Sequence, residues 1–259
     1  MRWVMGKRNH NNLIKLAVVI ILTTWGFSFS AHAKRSSIPV SYQLESSFIS
    51  KAEKSGDPYY QFMQGVDAYE ATDFTSAAKI FMELAKSGYV SAQYQLAVML
   101  DSGLGFKEDH AQSAIWYQKA ARKGHVEAQY NLAIAYATGE GIKHDMQKSI
   151  YWMKKSALDG NINAQYNLGL IYIMGNGVNV NFEEGMQWWK LAAKNGDGMA
   201  QYNLGLMYLE GKGVTSDVCE ASRWWQVSAE NGFIQSLIAL QNLKASNLQA
   251  HCKEMVSRN

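Results

Sequence analysis

The run AQYNLGLIY at Ala164 returns as AQYNLGLMY at Ala200, and in varied form as AQYNLAIAY at Ala128 and AQYQLAVML at Ala92, each start 36 residues from the next. Self-similarity of this period marks supersecondary units that stack rather than one irregular globule. Glycines recur in register at Gly103 and Gly105, Gly139 and Gly141, Gly175 and Gly177, Gly211 and Gly213, and again at Gly124, Gly160, Gly196 and Gly232. Trp116, Trp152, Trp188 and Trp224 keep the same spacing. Four copies without an insertion make the repeat the frame for every other reading.

Each unit reads as helix, glycine turn, helix, glycine turn. Ala128, Leu132 and Tyr136 are four residues apart and share one helix face. Gly139-Glu140-Gly141 ends that helix, because glycine tolerates the left-handed conformation of helix exits. Asp109, Asp145, Asn181 and Asp217 are N-caps for the second helices. Asp109 with Gln112, Asn181 with Glu184 and Asp217 with Glu220 have capping-box spacing. Small residues (Ala133, Gly169, Gly205; Ala157, Ala193, Ala229) let helices approach, and the tryptophan fills the gap between units. Two prolines against 21 glycines suit uninterrupted helices, and 47% hydrophobic residues suffice for a sizeable core. The expected fold is all-α: a solenoid of two-helix repeats.

The pattern A-x-x-x-L-G-x-x-Y, then G-x-G-V, D, W, A-A and G resembles the Sel-one-like repeats, a branch of the tetratricopeptide superfamily. It is nearly complete from Ala164 and Ala200. From Ala92 and Ala128 it is good, with Leu100 in place of the tyrosine and Ala97 and Ala133 in place of the glycine. The resemblance implies a right-handed superhelix with its ligand side on the concave surface. Residues 92–235 hold the four repeats. Residues 46–91 read as a half-unit plus a tetratricopeptide-like unit around Gly65, Ala77, Phe81 and Leu84, and 236–259 as a polar capping segment. Residues 34–45 read as a loose leader.

Residues 1–33 read as a secretory signal, with an uncleaved anchor as the alternative that the long basic start leaves open. Arg2, Lys7, Arg8 and Lys15 precede a mostly apolar stretch from Leu16 to Phe29, and Ala31-His32-Ala33 offers small residues for cleavage after Ala33. The expected location is the periplasm, or the medium if the protein is secreted further. Removing four basic residues and no acid leaves 21 basic against 22 acidic side chains, a net charge of −1. A nearly neutral surface argues against nucleic acid, and against a membrane once the signal is removed. Cys219 and Cys252 can pair in an oxidising compartment, and closing that loop would stabilise the fold by about 3–4 kcal/mol.

A second apolar row runs along the first helices, away from the alanine, leucine and tyrosine face: Tyr130 and Ile134; Tyr166, Leu170 and Ile173; Tyr202, Leu206 and Leu209. If this row lines the concave surface it offers a groove for a protein or peptide partner; if neighbouring first helices pack there it is core. Gln129, Gln165, Gln201 and Asn131, Asn167, Asn203 are placed to hydrogen-bond between units.

Catalytic patterns are missing. His110, His125, His144 and His251 have no His or Cys at ligand spacing and read as solvated, so no metal or cofactor is expected. Acids are scattered, and Walker and dinucleotide glycine motifs are absent. Ser76-Ala77-Ala78-Lys79 matches S-x-x-K, and Lys54-Ser55-Gly56 and Lys86-Ser87-Gly88 loosely resemble K-T-G, but the latter read as helix exits and S-D-N is absent, which leaves penicillin-binding or β-lactamase activity remote. The expected function is a monomeric, non-catalytic adaptor, scaffold or regulator in the cell envelope. An immunity protein against a type VI effector and a secreted host-interaction factor are the alternatives the resemblance carries.

Overall fold

The computed structural model of the protein describes residues 56–246. A unit boundary falls after Asp57, and every helix among the described residues lies beyond it. Among the described residues there are eleven helices and no strand. They are α1 Pro58–Glu70, α2 Phe74–Ser87, α3 Val90–Asp101, α4 His110–Arg122, α5 Val126–Thr138, α6 Met146–Leu158, α7 Ile162–Met174, α8 Phe182–Lys194, α9 Gly198–Glu210, α10 Val218–Glu230 and α11 Ile234–Ala245. Each packs on the next along the chain, so hairpins α3–α4, α5–α6, α7–α8 and α9–α10 follow one another as a solenoid. Residues 1–55, with the expected signal, leader and most of the upstream half-unit, and residues 247–259 lie outside the described residues.

Local chemistry sets the helix ends. The side chains of Asp109, Asp145, Asn181 and Asp217 accept from the backbone N–H groups of Gln112, Lys148, Glu184 and Glu220 at 2.9, 3.1, 3.0 and 3.0 Å. The reciprocal half of the capping box is not formed. The cap N–H groups of Asp109, Asp145, Asn181 and Asp217 instead donate to the carbonyls of Leu100, Tyr136, Tyr172 and Tyr208, near the end of the preceding helix. That bond ties each first helix to its second, so the glutamate is left for other work: Glu184 accepts from Trp188 Nε1 at 3.2 Å.

Both glycines of the G-x-G turn have positive φ, 80° at Gly139 and 67° at Gly141. The second has an additional steric reason. A Cβ on Gly141 would run into the carbonyl of His110, and one on Gly105 into that of Phe74, in each case the start of the previous unit's second helix. The turn is therefore pressed against its neighbour, and only glycine fits.

Two rows of large side chains fill the stack. Trp152 packs against both the cluster of Trp116, Tyr117, Ala120 and Ala121 and that of Ile150, Met153 and Ala157, which places the recurring tryptophan between units as expected. A second row, one residue later, is buried deeper: Tyr117, Met153, Trp189 and Trp225. Trp189 and Trp225 donate from Nε1 to the carbonyls of Tyr166 and Tyr202 at 3.1 and 3.0 Å. A Cβ on Gly169 or Gly205 would lie inside those indole rings. Where the first helix has Ala97 or Ala133 instead, the partner is Tyr117 or Met153. Glycine and tryptophan are thus a matched pair, swapped together from unit to unit.

Candidate partner-binding surface

The row proposed for a partner comes from α5, α7 and α9, and the structure places it at the seams between units. Tyr130 is 8% exposed, and Tyr166 and Tyr202 are half-buried. The hydroxyl of Tyr130 accepts from Asn167 Nδ2 at 3.1 Å and that of Tyr166 from Asn203 Nδ2 at 3.3 Å, each asparagine lying on the next first helix. Burial raises both phenol pKa values, and the asparagine bonds partly offset the rise. Tyr166 stacks on Trp189 with ring centroids 6.2 Å apart, and Tyr202 leans on Phe233 at 5.5 Å.

Ile134, Leu170, Ile173, Leu206 and Leu209 are half-buried. Leu170 and Ile173 pack against Met186 and Trp189, and Leu206 and Leu209 against Ala221, Trp225 and Leu243. What remains accessible is a strip of aliphatic edges over ordered aromatics. Such a strip can take apolar side chains, and Tyr166 can still donate its own hydroxyl proton to a partner's acceptor.

The repeated amides join units as expected. Gln93, Gln129, Gln165 and Gln201 donate from Nε2 to the carbonyls of Ala85, Ala121, Ala157 and Ala193, at 3.1, 3.5, 2.9 and 2.9 Å. Asn195 and Asn231 then donate to Oε1 of Gln165 and Gln201 at 3.1 and 2.9 Å. At the equivalent sites stand Lys123 and Asp159, and Oε1 of Gln93 and Gln129 is buried without a partner.

Two histidines are not the solvated groups expected. His110 Nδ1 lies 2.9 Å from Asp101, while its Nε2 lies 2.9 Å from Glu108 and 3.4 Å from Glu140 of the next unit's turn. The bond to Asp101 holds its pKa above the ordinary 6.5, the other two carboxylates adding to the rise. His125 is the N-cap of α5: its Nδ1 accepts from Ala128 N at 3.4 Å and its ring stacks on Tyr94 at 4.4 Å. Burial lowers its pKa, with Glu127 opposing. The signal was present in register: Asn161 and Asp197 cap α7 and α9 from the same repeat position.

Among the described residues, no group of three or more His, Cys, Asp or Glu could hold a metal ion, and no helix is long and apolar enough to cross a membrane. Ser76 sits in the first turn of α2 with its N–H bonded to Asp73, and Ser87 closes that helix by donating to Leu84 O at 2.8 Å. Ser76-Ala77-Ala78-Lys79 is thus a helix start and Lys86-Ser87-Gly88 a helix exit, while Lys54 and Ser55 lie outside the described residues. Cys219 lies in the first turn of α10. Cys252 lies outside the described residues.

A family model for the Sel1 repeat matches residues 90–125, 126–161, 162–197 and 198–233. Among solved structures, the chain is 31% identical to a protective antigen present in uropathogenic Escherichia coli strains that displays an SLR fold, with a TM-score of 0.72 over 76% of this chain and 43% of that one. It thus spans less than half the length of that protein. It is 30% identical to a Sel1 repeat protein from Oxalobacter formigenes, with a TM-score of 0.66 over 70% of this chain and 74% of that one. No curated protein matches by sequence. With the repeat matched over more than half its length, and with glycine-turn hairpins stacked in the register of that match, the chain belongs to the Sel1 repeat family.

Proposed function

We propose that the protein is a non-catalytic adaptor or scaffold of the bacterial cell envelope, exported by residues 1–33 and holding a protein partner on its first helices. Sel1 repeat folds commonly serve protein–protein interaction, which supports the binding class. The observation that carries the site is the aliphatic strip: Ile134, Leu170 and Leu206 occupy one register position on three successive first helices and are only half-buried. A regular apolar strip on a stiff stack presents a preorganised contact, which lowers the ordering cost of binding.

The test is affinity capture from envelope extract followed by mass spectrometry. Leu170→Ala combined with Leu206→Ala is expected to lose the captured partner while the helical circular dichroism spectrum is unchanged. Capture that survives the pair of substitutions rejects this surface. The same reading includes a Cys219–Cys252 disulfide. Cys219 lies in the first turn of α10, and α10 packs on α11, the last described helix before Cys252. Alkylation of both thiols in the native exported protein would remove the disulfide from the proposal.

The likeness to a protective antigen favours a second reading, an exported factor that meets host cells. Finding the protein only in cell fractions, and never in the medium, would reject it.

A further inference from the structure

The second helices carry a surface that the first-helix strip leaves unused. α4 (HAQSAIWYQKAAR) and α6 (MQKSIYWMKKSAL) contain no Asp or Glu, yet hold Lys119, Arg122, Lys148, Lys154 and Lys155. The other second helices of the array are mixed: α8 has Glu183 and Glu184 beside Lys190 and Lys194, and α10 has Glu220 and Glu230 beside Arg223. Positive charge is therefore concentrated on two neighbouring helices, joined by Trp152 of α6 packing against the cluster that includes Trp116 of α4.

One of those cations is paired with an acid, Lys148 with Asp145 at 3.1 Å, and one, Lys154, reaches across to the Tyr172 ring on α7. The others sit on aromatic stems or at the helix end. Lys119 Nζ is 3.7 Å from the Trp116 ring centroid, Lys155 Nζ is 5.1 and 5.4 Å from those of Tyr151 and Trp152, and Arg122 ends α4. At helical spacing from them, three large apolar side chains face solvent: Ile115 at 47%, Tyr151 at 52% and Leu158 at 73% exposure. The acids of the adjoining turns are Asp109 and Asp145 at the helix starts and Asp159, which follows Leu158 at the end of α6. Asp109 is occupied with the Gln112 N–H, and Asp145 with Lys148 and its N–H.

We infer that the outer faces of α4 and α6 dock an acidic, amphipathic segment of a protein partner, its carboxylates meeting Lys119, Arg122 and Lys155 and its apolar side chains covering Ile115, Tyr151 and Leu158. Charge complementarity selects the occupant, since an uncharged apolar segment would leave three cations partly desolvated without partners. Cation–π contacts hold the two lysines in place beforehand, so less side-chain freedom is lost on binding. This surface is independent of the first-helix strip, and either can fail without the other.

The probe is a labelled helical peptide with glutamates along one face and leucines along the other. Its glutamine counterpart and phosphatidylglycerol vesicles serve as comparisons, and binding is followed by anisotropy on the whole protein. The glutamate peptide is expected to bind, to weaken as salt is raised, and to lose about tenfold in affinity with Lys119→Glu plus Lys155→Glu. Lys119→Gln plus Lys155→Gln should lose less, and Leu170→Ala plus Leu206→Ala should lose nothing, all with unchanged circular dichroism. Equal binding of the glutamine peptide, or indifference to both lysine pairs, overturns the inference. So does tighter binding to the vesicles than to the peptide through the same lysines, which would make the face a membrane contact instead.

Discussion

Gln129 shows how a repeat can be incomplete at one atom. Its Nε2 bonds Ala121 O, but its Oε1 is buried and unpartnered, whereas the same atom of Gln165 and Gln201 accepts from an asparagine 30 residues on. The residue that should donate is Asp159, the C-cap of α6, where a carboxylate also faces the negative end of the helix. Asp159→Asn supplies the missing donor and removes that repulsion. It is expected to stabilise the protein by about 0.5–1.5 kcal/mol in urea melts, and no gain would mean the side chain does not reach Gln129. The two caged histidines give opposite pH dependences. His110 has a raised pKa, so its contribution is complete below 6.5 and fades as pH rises through the folded value. His125 has a lowered pKa because burial penalises the charged ring, so its contribution is present above 6.5 and fades as pH falls. The stability profile of His110→Gln should therefore lose its alkaline slope, and that of His125→Asn its acid slope. Imidazole chemical shifts that titrate together in the wild type would contradict both assignments.

At the scale of helices, spacing between partners is set by pairs of residues rather than single ones. α7 and α9 come close to α8 and α10 because Gly169 and Gly205 leave room for Trp189 and Trp225, whose indoles bond a carbonyl of the facing helix. Gly169→Ala alone is expected to destabilise by about 1–3 kcal/mol, since a methyl must displace a fully packed ring. Gly169→Ala with Trp189→Met rebuilds the combination found at Ala133 and Met153 and should recover much of the loss. Additive losses in that double-mutant cycle would show that the two positions are independent. The alanine, leucine and tyrosine face and the glycine exits were readable as sequence periodicity. The deeper row is not legible there, because Tyr117, Met153, Trp189 and Trp225 vary in type and only their packing makes them equivalent.

Over the whole molecule, each unit uses its neighbours in the same way. Gln165 bonds Ala157 as Gln129 bonds Ala121, so removing residues 126–161 would set Gln165 opposite Ala121 with no change of register. A protein lacking that unit is expected to fold, to keep its helicity per residue, and to melt cooperatively at a lower temperature, because a linear array loses one unit and one interface. Loss of cooperative melting would mean that the second unit is a nucleus the others depend on.

The repeat period, the helix ends and the all-helical stack follow from the sequence alone. They depend on local terms: the side-chain period of a helix, the caps at Asp109, Asp145, Asn181 and Asp217, and glycine's access to positive φ. How much of each recurring side chain remains for a partner was decided by tertiary structure. The tyrosine row is equally regular whether it lines a groove or a seam, and only the next first helix, with Asn167 and Asn203 reaching back to the hydroxyls of Tyr130 and Tyr166, puts it in the seam. The cage around His110 has the same origin, since Asp101 and Glu140 meet it from two different units and no spacing rule within one unit brings them together.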